Sequence, residues 1–157
     1  MSLDGPIPPA TVLVVDDDQG LLHLIEKSLR RAGYATAAAS SGRAAIDWLG
    51  GHRADLALVD LKLQDISGQD LLDQLAAANR TVPFIIITGQ GDERVAVEMM
   101  KRGAVDYLVK DKKFLKLVPD VTRRALAQLE QEKRLASTEE ALRLSEERFR
   151  IVLKNSP

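Results

Sequence analysis

Five short apolar runs, separated by stretches with helical spacing, constrain this chain more than any other feature. The runs occupy residues 11–15, 34–38, 56–59, 84–87 and 105–109. In residues 19–32, Leu21, Leu22, Ile25 and Leu29 recur on one helical face, and Gly33 ends the segment. A second helix, capped by Ser40 or Ser41, carries Ala44, Ala45, Ile46, Trp48 and Leu49 as far as Gly50. Residues 68–78 and 92–102 complete the set, followed by Pro83 and Gly103 respectively. Strands alternating with helices predict a parallel sheet. Each parallel crossover needs a helix, and each buried strand needs cover on both faces.

Five such units fit an α/β, flavodoxin-like doubly wound sheet of five parallel strands in the order 2-1-3-4-5, with an extended C-terminal helix. The run at 34–38 is rich in alanine, which has little β-propensity, so it belongs at an edge. In this order the carboxyl ends of the first, third, fourth and fifth strands converge on one side. The residues found there are Asp16-Asp17-Asp18, Asp60, Thr88-Gly89 and Lys110. Open α/β sheets place their chemistry at that edge.

Composition narrows the classes. The net charge of −1 gives no global argument for nucleic acid or a membrane surface. Cysteine is absent, which excludes disulfides and thiolate metal sites. No apolar run approaches membrane-spanning length and no signal-peptide pattern opens the chain, so a cytoplasmic location is expected. Residues 1–10 read as a leader or tag.

Three carboxylates with room for retained waters suit Mg²⁺, a hard cation that prefers oxygen. Asp16 and Asp17 beside Asp60 supply them. Asp60 is placed to act as a nucleophile toward phosphorus, giving an aspartyl phosphate. Lys110 brings a compact positive charge and Thr88 a hydroxyl for the phosphoryl oxygens. Other acidic residues have plainer roles. Asp18 is expected to cap the first helix, and Asp55, Asp65 and Asp70 to be turn or helix-start residues. His23 and His52 have no neighbouring His or Cys at ligand spacing.

Four segments together resemble the receiver domain of two-component response regulators. They are Val14-Val15-Asp16-Asp17-Asp18, Leu58-Val59-Asp60, Ile86-Ile87-Thr88-Gly89 and Asp106-Tyr107-Leu108-Val109-Lys110. The resemblance covers about residues 11–118. It implies that Asp60 accepts a phosphoryl group from a histidine kinase or phosphotransfer protein, and that Asp16, Asp17, Asp60 and the Lys62 backbone carbonyl hold Mg²⁺. It further implies that Thr88 and Lys110 grip the phosphoryl group and that Tyr107 is a switch aromatic. Lys62 and Gln90 fall at the positions that tune phosphate lifetime. The Lys62 side chain is expected to lie over the phosphoryl group and to shield it from water. The chain departs from the pattern at Gln64 and Asp111, where prolines are common. The second change bears on whether the peptide after Lys110 is cis.

Beyond Pro119 the chain changes character. No glycine or proline occurs before Pro157, and residues 121–157 carry a net charge of +2, leaving −3 for residues 1–120. Leu135, Leu142 and Phe149 repeat every seven residues, with Thr138, Ser145 and Val152 between them. This short seam fits either a solvated continuation of the last helix or a signalling helix that pairs two chains, so residues 119–153 read as a linker. Residues 145–157 resemble the opening of a PAS sensor domain, which implies a sensor kinase or cyclic-dinucleotide enzyme downstream. Two other readings compete. A haloacid dehalogenase-like phosphatase would use Asp16 as nucleophile and Asp18 as acid/base, leaving Asp60 idle. A non-phosphorylated interaction module would not need the full set of reacting residues. No helix-turn-helix follows, so no nucleic-acid partner is expected.

Overall fold

The structure is a computed structural model that describes residues 8–154. Its elements are β1 (Thr11–Val15), α1 (Gln19–Arg31), β2 (Ala35–Ala39), α2 (Gly42–Leu49), β3 (Leu56–Asp60), α3 (Gly68–Ala77), β4 (Phe84–Thr88), α4 (Glu93–Lys101), β5 (Asp106–Val109) and α5 (Phe114–Lys154). All strand pairs are parallel, in the order β2-β1-β3-β4-β5. This is the α/β doubly wound sheet expected from the alternation of runs, with the alanine-rich β2 at one edge.

Every residue of β3 is buried, as are Ile85, Ile86 and Ile87 of β4. The two sheet faces form two cores. Val12, Val14, Leu56, Leu58, Ile85 and Ile87 pack under α1 and the first turns of α5. Leu13, Val15, Val59 and Ile86 pack with Leu71 and Leu75 of α3 and Met99 of α4. Each fully buried Leu or Ile contributes about 1.5–3 kcal/mol, so this alternation pins the register.

Several element boundaries shift by one residue from the sequence reading, and three of these shifts have a clear physical reason or bear on the site. The second strand begins at Ala35, not Tyr34, because the Tyr34 N–H is spent on the end of α1. It donates to the Leu29 carbonyl at 3.1 Å while Gly33, at φ +98°, donates to Arg30 at 3.0 Å. That pairing is a Schellman cap, and it needs the left-handed glycine. Asp60 and Thr88 also lie inside strands rather than after them. Asp60 is in register with Ile87, and Thr88 with Val109. The sheet ladder therefore holds the backbone of both residues.

α5 spans 41 residues without a break and begins before Pro119, which lies in its second turn. Asp111 starts it: the carboxylate accepts from the Lys113 N–H and the carbonyl from the Phe114 N–H. A turn-forming aspartate thus takes the place where proline is common, and the peptide after Lys110 is trans, as are all peptides among the described residues. Phe114, Val118, Val121, Thr122 and Ala125 are buried, and from Gln131 onward every described side chain is exposed. Residues 1–7 and 155–157 lie outside the described residues; the former include most of the expected leader and the latter the end of the PAS-like segment.

Candidate functional site

The site forms where β1, β3, β4 and β5 end. Asp16 follows β1, and its N–H donates to the Ala39 carbonyl at 3.1 Å, tying it to the edge strand. Asp16 is fully buried and Asp60 nearly so. Carboxylate oxygens of Asp16, Asp17 and Asp60 lie within 4.8 Å of one another. Two donors hold the Asp60 carboxylate. Asp60 Oδ1 accepts from the Lys62 N–H at 3.1 Å, and Oδ2 from Lys110 Nζ at 2.9 Å.

Lys110 Nζ is also 2.9 Å from Asp16 Oδ2. That contact is an ion pair without hydrogen-bond alignment, so Asp16 Oδ2 remains buried with no aligned donor. Its other oxygen accepts from the Asp18 N–H at 2.9 Å. Burial pushes the Asp16 carboxyl above its ordinary value, the Asp18 N–H and Lys110 oppose this, and the Asp60 charge adds to it. For Lys110, burial alone would depress the ammonium, but the nearby Asp16 and Asp60 carboxylates outweigh that and raise it. Lys110 pairs with two of the three clustered carboxylates. A buried oxygen without an aligned donor, in an all-oxygen set, fits a divalent cation such as Mg²⁺.

Thr88 is buried at the end of β4, and its hydroxyl donates to the Leu108 carbonyl at 3.4 Å. The Lys110 N–H donates to the Thr88 carbonyl at 2.8 Å, which aligns these two residues across β4 and β5. Tyr107 points outward and is exposed, and Gln90 is exposed on the β4–α4 loop. The Lys62 side chain is mostly exposed. Its ammonium lies 3.1 Å from Asp92 Oδ2, engaged there rather than by the pocket carboxylates.

Asp18 accepts from the Leu21 N–H as the N-cap of α1. It is committed to the helix, which deprives a phosphatase of the dehalogenase type of its second aspartate. Asp65 is more than a turn residue: its two oxygens accept from the Gly42 and Arg43 N–H groups at 3.0 and 2.9 Å, anchoring the β3–α3 loop to α2. His52 stacks on Trp48 with ring centroids 4.7 Å apart, away from the site.

Two participants escaped the sequence reading. Gly68, read there only as the start of the third helix, lets α3 approach the end of β3. A Cβ on it would stand 2.8 Å from the Asp60 carbonyl oxygen and 3.0 Å from Leu61 Cα. Asp92, the partner of Lys62, gave no sequence signal because the pair is separated by a strand and a helix.

An acidic pocket with a lysine, at the carboxyl edge of a 2-1-3-4-5 sheet, defines a phosphoacceptor class of α/β domain. Residues 12–122 match the model of the response regulator receiver domain, and the chain belongs to that family. It is similar to the transcriptional regulatory protein ZraR of Escherichia coli, 37% identical over 103 residues, covering 66% of this chain and 23% of that protein. It is also similar to the DNA-binding transcriptional regulator NtrC of Rhizobium meliloti, 30% identical over 119 residues, covering 76% of this chain and 24% of the relative. The chain thus spans about a quarter of the length of these curated relatives. Among solved structures, NtrX from Brucella abortus aligns with a TM-score of 0.76 at 26% identity, over 83% of this chain and 29% of that one. A receiver domain from Clostridium thermocellum aligns with a TM-score of 0.68 at 27% identity, over 78% of this chain and 98% of that one. Receiver domains take part in two-component signalling with histidine kinases or phosphotransfer proteins. No helix among the described residues is long and apolar enough to cross a membrane.

Proposed function

We propose that Asp60 is the phosphoacceptor of a histidine-to-aspartate phosphorelay and that its modification depends on Mg²⁺ held by Asp16, Asp17, Asp60 and the Lys62 carbonyl. The observation that carries this reading is the Asp60 carboxylate itself. It is nearly buried, clamped by the Lys62 N–H and the Lys110 ammonium, and bordered by two further carboxylates. An Asp60 oxygen forms a bond to phosphorus while the bond from phosphorus to the donor nitrogen or oxygen breaks, its electron pair leaving with the donor. Lys110 and the Thr88 hydroxyl bind the phosphoryl oxygens as charge spreads over them. When bound, Mg²⁺ supplies the positive charge that three carboxylates and a phosphoryl group require.

Thr88 must exchange its Leu108 carbonyl for a phosphoryl oxygen. That shift, followed by inward rotation of the exposed Tyr107, would favour a second packing of α4, β5 and α5. Downstream, α5, whose last turns carry residues 145–154 of the PAS-like segment, leads to a PAS-containing output, a sensor kinase or cyclic-dinucleotide enzyme, with two chains paired along Leu135, Leu142 and Phe149. The test is incubation with acetyl phosphate, with and without Mg²⁺, followed by peptide mass spectrometry. One phosphoryl group on the Asp60 peptide, absent without Mg²⁺ and in Asp60→Asn, is expected. Equal incorporation in Asp60→Asn would overturn the assignment.

A further inference from the structure

We infer that Asp92 is a positioning residue for the phosphoryl chemistry at Asp60, acting by holding the Lys62 ammonium to one side of the pocket and yielding it when the acceptor is modified. The inference rests on the reading of Asp60 as acceptor. Three observations lead to it. Lys62 is tied to the site at both ends, its N–H on Asp60 Oδ1 at 3.1 Å and its ammonium on Asp92 Oδ2 at 3.1 Å. Asp92 Oδ2 lies 3.3 Å from where a Cβ on Gly89 would stand, so the carboxylate folds back over the residue that follows Thr88. Asp92 also occupies the N-cap position of α4 yet makes no side-chain cap bond, whereas Asp18, Ser41 and Ser67 each cap their helices.

The carboxylate thus faces Lys62 and not the first turn of α4. The Asp92 backbone, at φ −101° and ψ 24°, also lies outside the extended conformation of the three capped termini. Capping of α4 therefore requires that backbone to shift as well as the carboxylate to be released. The ion pair is exposed, with Lys62 at 76% and Asp92 at 25% of their side-chain surface, so it is weak and exchanges readily. Phosphorylation replaces the single charge of Asp60 with a group carrying about −2 and three acceptor oxygens, beside the backbone to which Lys62 is anchored. The ammonium moves to that stronger partner. Asp92, released, accepts from the Arg94 or Val95 N–H and caps α4. The Lys62 shield and the α4 cap then form together, and both are absent while Asp60 is free.

Two measurements test this. In unmodified protein, Lys62→Met leaves Asp92 free, so the Arg94 and Val95 amides should exchange hydrogen about threefold more slowly than in the parent, a factor within the range of an exposed ion pair. For phosphorylated protein, loss of phosphate is followed after removal of the donor. Water bonds to phosphorus, the bond to the Asp60 oxygen breaks with its electron pair left on the carboxylate, and inorganic phosphate and a proton leave. Lys62→Met should speed that loss. Asp92→Asn, which caps without binding lysine, should slow it about two- to threefold in the parent and leave it unchanged when Lys62→Met is also present. Unchanged α4 exchange in Lys62→Met, or equal effects of Asp92→Asn with and without Lys62, overturns the inference. Slowed α4 exchange with no phosphoryl group on Asp60 in any variant would instead overturn the acceptor reading, and with it the role of Asp92 in that chemistry.

Discussion

Asp16 shows how the site works against the fold. Its carboxyl is fully buried and shares one lysine with Asp60, and burial raises its proton affinity above the unfolded value. A raised carboxyl means that the native state holds its proton at pH values where the unfolded chain has lost it. Stability therefore rises as pH falls through the folded value toward the unfolded one, and the ionised form costs stability at pH 7. We predict that Asp16→Asn is more stable than the parent in Mg²⁺-free buffer at pH 7 by about 1 kcal/mol. Urea denaturation with and without Mg²⁺ would check this. The ion should stabilise the parent and have little effect on the variant. The residues of this pocket were legible in the sequence because each one terminates an apolar run, and the topology brings the ends of those runs together. The two long-range partners were not. Asp65 and Asp92 act on groups far along the chain, and no local spacing distinguishes them from ordinary turn acids.

Helix termini carry much of the element-level information. α1, α2 and α3 begin at Asp18, Ser41 and Ser67, residue types that announce a cap. For α2 the second anchor is tertiary, since Asp65 accepts from both Gly42 and Arg43. Those bonds, Arg43 first and then Gly42, hold the Asp65 carboxyl below its usual range. Its contribution is then complete above the unfolded carboxyl value and is lost as pH falls through the lower folded one. Asp65→Ala should cost about 1 kcal/mol by denaturant titration at neutral pH, with the deficit shrinking only below about pH 4. A second element-level expectation concerns α5. The Thr122 hydroxyl is fully buried with no hydrogen-bond partner among the described residues. Thr122→Val keeps the shape and removes the polar atom, so it should stabilise by about 1 kcal/mol, read as a rise in Tm. The β2 boundary erred by one residue for a related reason: the helix cap takes the Tyr34 N–H, and an apolar pattern does not show which partner a backbone group will choose.

For the whole molecule, the buried part of α5 belongs to the domain. Val121, Thr122 and Ala125 are core residues, and Leu126 and Leu129 pack at its margin. A chain ending after Leu129 should keep the parent Tm, whereas one ending after Val118 should lose about 3–5 kcal/mol, because Val121, Ala125 and most of the α1 contact go with it. Light scattering of the same pair addresses the tail: the parent should dimerise and the Leu129-terminated chain should do so more weakly. Equal monomers would leave the exposed helix as a spacer. The sequence could not separate those readings, because a short imperfect seam and a solvated helix use the same residue types.

The unbroken run of α5 has a mechanical consequence. Val118, Val121 and Ala125 are clamped against the strands that end at the pocket, while residues 130–154 stand free of the domain. That outer part extends about 37 Å, so a tilt of about 5° in the clamped turns carries its tip through about 3 Å. A subtle repacking at the root becomes a displacement the size of a hydrogen bond at the far end. The helix is a lever whose short arm lies in the core.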